Sequence, residues 1–300
     1  MDMKQEQKDW NQVHCCDVIE GLSSLGDESV DMVIIDPPYN IGYDFGNNKC
    51  RKGIKQYVEW AQLWLRESER ILKPTGTMFV YGFSEILAHL SVNINLDHRW
   101  LIWHYTNKTV PSSKFWQRTH ESIICAWKDK GQRIFNRDDV REPYTENFIK
   151  GYKGKKRTRP TSSGRFGETR ETVYTVNEKG ALPRDVIKVP TLAGGAGSRS
   201  RIAFCKDCDE VLMGTKEIKL HKEHDIFKHP TQKPFELTKR LMLSVRPEQA
   251  GKVVVPFVGS GSEIFVAKHL GLDYIGFDIN QEYVTMANKL TEKGYDYPTK

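Results

Sequence analysis

The stretch Val30-Asp31-Met32-Val33-Ile34-Ile35, halted by Asp36-Pro37-Pro38, constrains the fold more than any other. A short, β-branched apolar run predicts a buried strand, and the two prolines end it because they donate nothing to a ladder. Strands covered on both faces belong to parallel sheets flanked by helices. Both ends of the chain fit this pattern. Apolar residues at helical spacing fill 57–72, and Lys73-Pro74-Thr75-Gly76 stops that helix. Strands are predicted at 77–81, 100–104, 122–127, 253–257 and 274–277, and helices at 234–245, 263–270 and 282–290. Strand–helix alternation predicts an α/β fold, a Rossmann-like doubly wound, mostly parallel sheet. Neither end has enough strands alone. Residues 1–130 and 229–300 are therefore expected to form one domain around an irregular insertion at 131–228, where periodicity fades.

Composition narrows the class. The 300 residues are 38% hydrophobic and 28% charged, within the range of ordinary globular chains. Mean hydropathy is −0.57, and the absence of any long apolar run excludes a membrane span. Met1-Asp2-Met3-Lys4-Gln5 is unlike a signal peptide. Six cysteines are too few for a disulfide scaffold, and a cytoplasmic location would keep them reduced. The net charge of +6 is unevenly spread: residues 131–235 hold 22 Lys/Arg against 14 Asp/Glu, and the remainder 23 against 25. The densest part, 150–170, has eight basic residues and one acidic, Glu168, interleaved with Gly, Ser, Thr and Pro. It cannot bury a core of its own. It reads either as a solvated loop or as one that orders on a phosphate backbone; the local surplus favours the second. Lys150, Lys153, Lys155, Lys156, Arg157 and Arg159 are the candidate phosphate contacts.

Two stretches carry chemistry. Asp36-Pro37-Pro38-Tyr39-Asn40 follows a strand, at the edge where open α/β sheets bind ligands. A carboxylate and a free carbonyl accepting both protons of an exocyclic amine would aim its lone pair, and Tyr39 offers a face for an extruded base. An Asx turn with a packed tyrosine is the plainer reading. Val255-Pro256-Phe257-Val258-Gly259-Ser260-Gly261-Ser262 is a strand, a glycine-rich turn and a helix start, and Asp278 closes the next strand. That arrangement suits a nucleoside-like cofactor, with the acid on ribose hydroxyls; a packing turn without ligand is the alternative. A third cluster, Cys205-x2-Cys208-x12-His221-x2-His224, has zinc-ligand spacing with a short His–His gap. It is read as a structural zinc knuckle at 205–224, with His229 as an alternative fourth ligand, against two reduced thiols and two surface histidines.

Together these stretches resemble the amino-methyltransferases of DNA in their β-type motif order: catalytic motif first, target recognition in the middle, cofactor motif last. Cys16 to Leu22, Arg70 to Thr77, Trp103-His104-Tyr105, Arg118-Thr119-His120-Glu121 and His229 to Leu237 resemble further family segments. The resemblance covers roughly 1–130 and 228–290. It implies a class I methyltransferase domain that moves a methyl group directly from S-adenosylmethionine to the amine of a flipped base in double-stranded DNA. Asp36 and the Pro37 carbonyl would bind the amine, and Pro38 and Tyr39 complete the catalytic set. For the cofactor it implies Asp278 at the ribose and Asp17 at the adenine edge. Thr231 and Lys233 would lie near the methionine carboxylate, beside Phe257, Gly259, Ser260, Gly261 and Ser262. Asp before Pro-Pro-Tyr leans toward N6-adenine over N4-cytosine. Family members are often homodimers, and some act beside a cognate restriction enzyme. The family's context is a bacterial or phage-infected cytoplasm.

One departure stands out. The family usually has Asp before Pro-Phe, holding the cofactor's amino group, and this chain has Val255. Either another acceptor, the Asp36 carboxylate or a backbone carbonyl, replaces it, or the chain is a nonenzymatic nucleic-acid-binding protein with a decayed cofactor site. An RNA or protein amine methyltransferase is a further rival, disfavoured by the large basic insertion.

Overall fold

The computed structural model describes residues 8–40, 53–107, 111–152, 154–160, 169–173, 175–193, 195 and 198–298. The main sheet draws strands from both ends of the chain: β1 (Gln12–Cys15), β2 (Val30–Ile35), β3 (Leu72–Gly82), β4 (Asp97–His104), β5 (His120–Trp127), β8 (Val186–Lys188), β12 (Lys252–Val255) and β13 (Asp273–Asp278). Their order is β1-β13-β12-β2-β3-β5-β4-β8, and β5 alone runs against the others. This is the doubly wound, mostly parallel sheet that the alternation of elements predicts.

Successive residues of each central strand serve opposite cores. Met32, Ile34, Phe79, Tyr81, Val253 and Val255 enter one apolar cluster, with residues of α6 (Phe235–Val245), α7 (Ser262–His269) and α8 (Gln281–Glu292). Val33, Ile35, Met78, Val80 and Val254 enter the other, with α1 (Val18–Ser23), α2 (Ile54–Ile71) and α3 (Ser84–Ser91). That two-sided burial is why the strands read as unbroken apolar runs. Asp31, the polar member of β2, is buried and satisfied: both carboxylate oxygens lie 3.0 Å from Lys73 Nζ, and one accepts the Lys252 amide at 2.8 Å.

Boundaries move by a few residues at several elements, and two of the shifts fall at prolines. β12 stops at Val255, two residues before the predicted end, because Pro256 has no amide to pair. β3 begins at Leu72, through the Lys73-Pro74-Thr75-Gly76 stop, with a register shift against β2 between Val30 and Met32.

The middle of the chain holds more regular structure than its sequence suggests. A compact unit at 136–184 is distinct from the unit formed by 1–135 and 185–300, so the separate body is narrower than the 131–228 insertion. It contains α4 (Glu146–Tyr152) and an antiparallel pair, β6 (Lys156–Pro160) and β7 (Thr169–Val173). Its two ends are joined by mutual amide–carbonyl bonds between Glu142 and Ala181, and by an Arg184–Glu142 ion pair at 2.9 Å. After it in the chain, β8 extends the main sheet. A small second sheet, β10-β9-β11, follows from β9 (Ile202–Cys205), β10 (Glu210–Met213) and β11 (Ile226–Phe227), with α5 (Thr215–Leu220) after β10. Among the described residues no helix is long and apolar enough to cross a membrane.

Candidate active site

The chain leaves β12 toward β13 on one side and leaves β2 toward β3 on the other. The winding therefore reverses between β12 and β2, the crevice where open α/β sheets take ligands. The two chemistry-bearing stretches emerge there side by side: Asp36-Pro37-Pro38 after β2, and the glycine turn after β12.

Asp36 is the centre of a buried polar cluster. Its Oδ2 accepts a hydrogen bond from Lys233 Nζ at 2.7 Å, and its Oδ1 accepts one from the Tyr39 hydroxyl at 2.8 Å. The same hydroxyl lies 2.9 Å from Glu121 Oε2, and Tyr105 donates to Glu121 Oε1 at 2.6 Å. Lys233 also lies 3.6 Å from Glu121. Burial works against the Lys233 charge, but the carboxylates of Asp36 and Glu121 outweigh it and raise the ammonium group's pKa. Burial and the same two acids push the Tyr39 phenol well up. Its ring meets Phe83 edge-on at 5.0 Å and is only 9% exposed. Tyr39 is thus no open stacking face in this state, because its hydroxyl is drawn inward to the two acids. Pro37 and Pro38 act as expected in one respect: the Pro38 carbonyl is left to accept, here from the Tyr57 hydroxyl at 2.9 Å.

Glu121 was legible only as part of a matching segment. It is the second residue of β5, the one reversed strand of the sheet, whose first residues lie at the edge where the parallel strands place their last.

In the glycine turn, Gly259 has φ +49° and Gly261 φ +81°, the left-handed region that favours glycine. A Cβ on Gly259 would come within 2.8 Å of the His229 ring. Burial and nearby Lys233 drop His229 to about 3, so the ring is neutral. Asp278 receives the Gly259 amide at 2.8 Å on Oδ2 and the Asn280 amide at 2.9 Å on Oδ1. Phe257 packs on Trp60 and Trp64 at 5.8 and 5.7 Å. Ser262 donates at 2.7 Å to Glu263, a fully buried carboxyl that its surroundings raise to about 7, chiefly through desolvation and then the charge of Asp36.

Comparison with known proteins identifies the family. The family model of the DNA methylases, N6/N4 methyltransferase type, matches residues 30–289. The chain belongs to that family. The type II methyltransferase M.HpaI of Haemophilus parainfluenzae is 28% identical, over 94% of this chain and 74% of its own. The DNA adenine methyltransferase YhdJ of Escherichia coli K12 is 26% identical, over 90% of this chain and 79% of its own. The PvuII cytosine-N4-specific DNA methyltransferase superposes with a TM-score of 0.60 at 16% identity, over 96% of this chain and 87% of its own, which establishes the fold.

This DNA methylase therefore uses S-adenosylmethionine, and the site fits it. Asp278 is held beside the glycine turn by backbone amides, where a carboxylate can accept a ribose hydroxyl. Among the described residues, the pocket holds Asp36, Glu121 and Glu263 against the single cation Lys233, an acidic excess suited to a sulfonium and an ammonium group.

The other expected residues of the methylase sort as follows. Asp17 caps α1 through a 2.8 Å bond from the Ile19 amide. It lies at the same sheet edge as Asp278, since Cys15 pairs with Asp278 across β1 and β13. Ser260 and Ser262 are buried in the turn. Lys233 is spent on Asp36 and Glu121, a different partnership from the expected one with a methionine carboxylate. Thr231 is exposed, with its amide 3.3 Å from His229 Nδ1. Cys205 Sγ and Cys208 Sγ lie 3.3 and 3.2 Å from His224 Nδ1. His221 joins a neighbouring group with Cys208 and Glu210. His229, the alternative fourth ligand, is instead packed against Gly259 and Tyr283. In the basic stretch, Lys153 lies outside the described residues. Lys150 sits on α4, 3.6 Å from Glu146, and Lys155 is exposed. Lys156, Arg157 and Arg159 belong to β6, so this part of the expected loop is a strand, its backbone paired with β7. Lys156 lies 3.3 Å from Glu171.

Proposed function

We propose that this DNA methylase modifies the N6 amine of an adenine flipped from double-stranded DNA. The observation that carries the reading is the placement of Asp36-Pro37 at the switch point, directly beside the glycine turn of the cofactor motif. An aromatic amine is a poor nucleophile because its lone pair is shared with the ring. Asp36 Oδ1 and the Pro37 carbonyl would accept its two protons and turn the lone pair outward. Bound S-adenosylmethionine supplies an electrophilic methyl group on a positively charged sulfur. Holding the amine in line with that methyl is most of the catalytic work. The Tyr39 hydroxyl holds Asp36 Oδ1 in the resting site. The entering amine takes its place and releases the ring to pack on the base, a contact worth about 1–3 kcal/mol. Lys233 remains on Oδ2 and holds the carboxylate in place.

Asp before Pro-Pro-Tyr supports adenine, as does a relative named as an adenine methyltransferase. N4-cytosine methylation is the second reading, since its amine presents the same geometry. The basic 136–184 unit would supply the phosphate contacts of target recognition. The type II relatives favour a role in restriction–modification, in the cytoplasm where bacterial DNA lies.

The test is to incubate the protein with unmethylated plasmid and S-adenosylmethionine, digest, and quantify nucleosides by mass spectrometry, with Asp36→Ala as control. N6-methyladenine from the intact protein alone is expected. N4-methylcytosine would keep the mechanism and overturn the base. No methylated base from folded protein on several DNAs would overturn the enzymatic reading.

A further inference from the structure

We propose that Cys205, Cys208, His221 and His224 hold a structural Zn²⁺ ion whose module fixes the segment carrying His229 and Lys233 over the active site. The β9–β10 hairpin presents Cys205 at its last paired position and Cys208 in its turn, and the chain through and after α5 delivers the two histidines. The distances from His224 Nδ1 to the two sulfurs already match a tetrahedral site. With Zn–S near 2.3 Å and Zn–N near 2.0–2.1 Å, adjacent S and N ligands stand about 3.5 Å apart; here they stand 3.3 and 3.2 Å apart. His221 is prepared as the fourth ligand. Its Nδ1 is 3.0 Å from the Glu217 carbonyl. Donating there fixes the tautomer and leaves Nε2 bare, the usual outer partnership of a metal-bound imidazole. Nε2 faces Glu210 at 3.4 Å, and a ring nitrogen of His221 lies within 4.8 Å of the Cys208 sulfur.

One face of the module, Ile202, Phe204 and Val211, packs into the main core. The face that carries the thiols has only three buried residues, Ala203, Cys205 and Leu212, with Ile218 and Ile226 half-buried beside them, too small a core to order the Cys and His loops by itself. Four protein ligands leave no open coordination position, so the role is structural rather than catalytic. The module is anchored to α8 and the residues after it. Lys206 pairs with Glu282, Lys289 with Asp209 at 2.8 Å, and Lys293 with Glu210 and Glu217 at 3.1 and 3.3 Å. From His224 the chain runs through β11, which pairs with β9, and five residues on it sets His229 against Gly259. Four residues further, Lys233 reaches Asp36.

The test uses the intact protein purified with a tag that binds no metal. Elemental analysis should return one zinc per chain. Cobalt exchange should give visible bands of tetrahedral intensity together with thiolate-to-cobalt charge transfer in the near ultraviolet. Cys208→Ser and His221→Ala should each lower zinc affinity by at least about tenfold and change the cobalt spectrum. Chelation should lower the affinity for S-adenosylmethionine, measured by calorimetry, and zinc should restore it. A metal-free protein at full cofactor affinity would overturn the proposal. So would a cobalt spectrum without charge transfer, or one unchanged in Cys208→Ser.

A second observation stands independently of the metal. The family's cofactor-binding Asp is Val255 here, 1% exposed and part of the apolar core. Eight residues later, on the first turn of α7, Glu263 buries a carboxyl at 3% exposure, its side-chain partners among the described residues being hydroxyls: Ser262 at 2.7 Å and Thr238 at 3.4 Å. We infer that Glu263 takes over the missing Asp and receives the ammonium group of S-adenosylmethionine. An acid buried without a cation of its own is costly to keep, and a cationic ligand relieves that cost. The charged and titratable groups around it are Asp36 after β2, Tyr81 on β3 and Lys233 before α6. This inference rests on the cofactor, and its test separates the two. Calorimetry compares S-adenosylmethionine with methylthioadenosine, which lacks the amino-acid arm. Glu263→Gln should weaken the first by at least about tenfold and leave the second within about twofold. Val255→Asp added to Glu263→Gln should recover most of the loss. Equal loss for both ligands, or no loss for either, would overturn the assignment. Methylthioadenosine binding in the wild type confirms that the nucleoside site itself is intact.

Discussion

Lys233 is the cation that makes the acidic pocket tolerable. Replacing it by Met leaves Asp36 and Glu121 facing each other through the Tyr39 hydroxyl without a counter-charge. The expected cost is about 3–5 kcal/mol, as for a buried pair stripped of one partner, read from urea unfolding. Glu121→Gln in the same background should return part of that loss, since one of the two unpaired charges is gone. Glu263 gives the resting protein a pH signature. Its carboxyl ionises near 4.5 when unfolded and at about 7 when folded. A folded value raised in this way favours the native state fully below the unfolded value and loses that favour as pH rises toward 7. Apo stability should fall by up to about 3 kcal/mol across that window. Glu263→Gln should flatten the fall, measured as unfolding free energy at pH 5 and pH 8; an identical slope in the variant would discard this account.

At the scale of elements, what could be read in the sequence depended on whether a strand's two faces and its direction left a mark. β2 and β12 are buried on both sides and announced themselves as apolar runs. Asp36, Gly259, Gly261 and Asp278 were legible because each sits where a parallel strand ends, and that junction has a fixed residue chemistry. Glu121 was not, because a strand's direction leaves no trace in its composition. β9, β10 and β11 are apolar but too short for periodicity to register, yet the Cys and His spacing in and between them was plain. Val255 marks an absence, but nothing in the sequence of the mostly apolar α7 distinguishes Glu263, eight residues on, as a buried acid. The α7–α8 contact rests on Gly261, where a Cβ would stand 2.9 Å from the Ala287 Cβ at φ +81°. Gly261→Ala should cost roughly 1–3 kcal/mol in thermal or urea unfolding and weaken cofactor binding more than DNA binding.

For the whole molecule, cofactor chemistry and charge are carried by different stretches of chain. Replacing Lys155, Lys156, Arg157 and Arg159 with Gln should weaken DNA binding on every sequence. The slope of log affinity against log salt should shrink by about 0.9 for each phosphate that is no longer neutralised. Affinity for S-adenosylmethionine should stay unchanged, because none of these residues belongs to the cofactor motif. Salt titrations of wild type and variant with the same slope would remove this stretch from the DNA interface.

The crevice between β12 and β2 joins residues made at very different times. The Lys252 amide is held by the Asp31 carboxylate, and Asp36 by Lys233, about two hundred positions apart. A ribosome synthesises the Asp36 motif first and the glycine turn after nearly the whole middle region has emerged. A nascent chain therefore has no place for the methyl donor. Methylation can begin only once translation has passed the second half of the sheet, so incomplete chains cannot mark the genome.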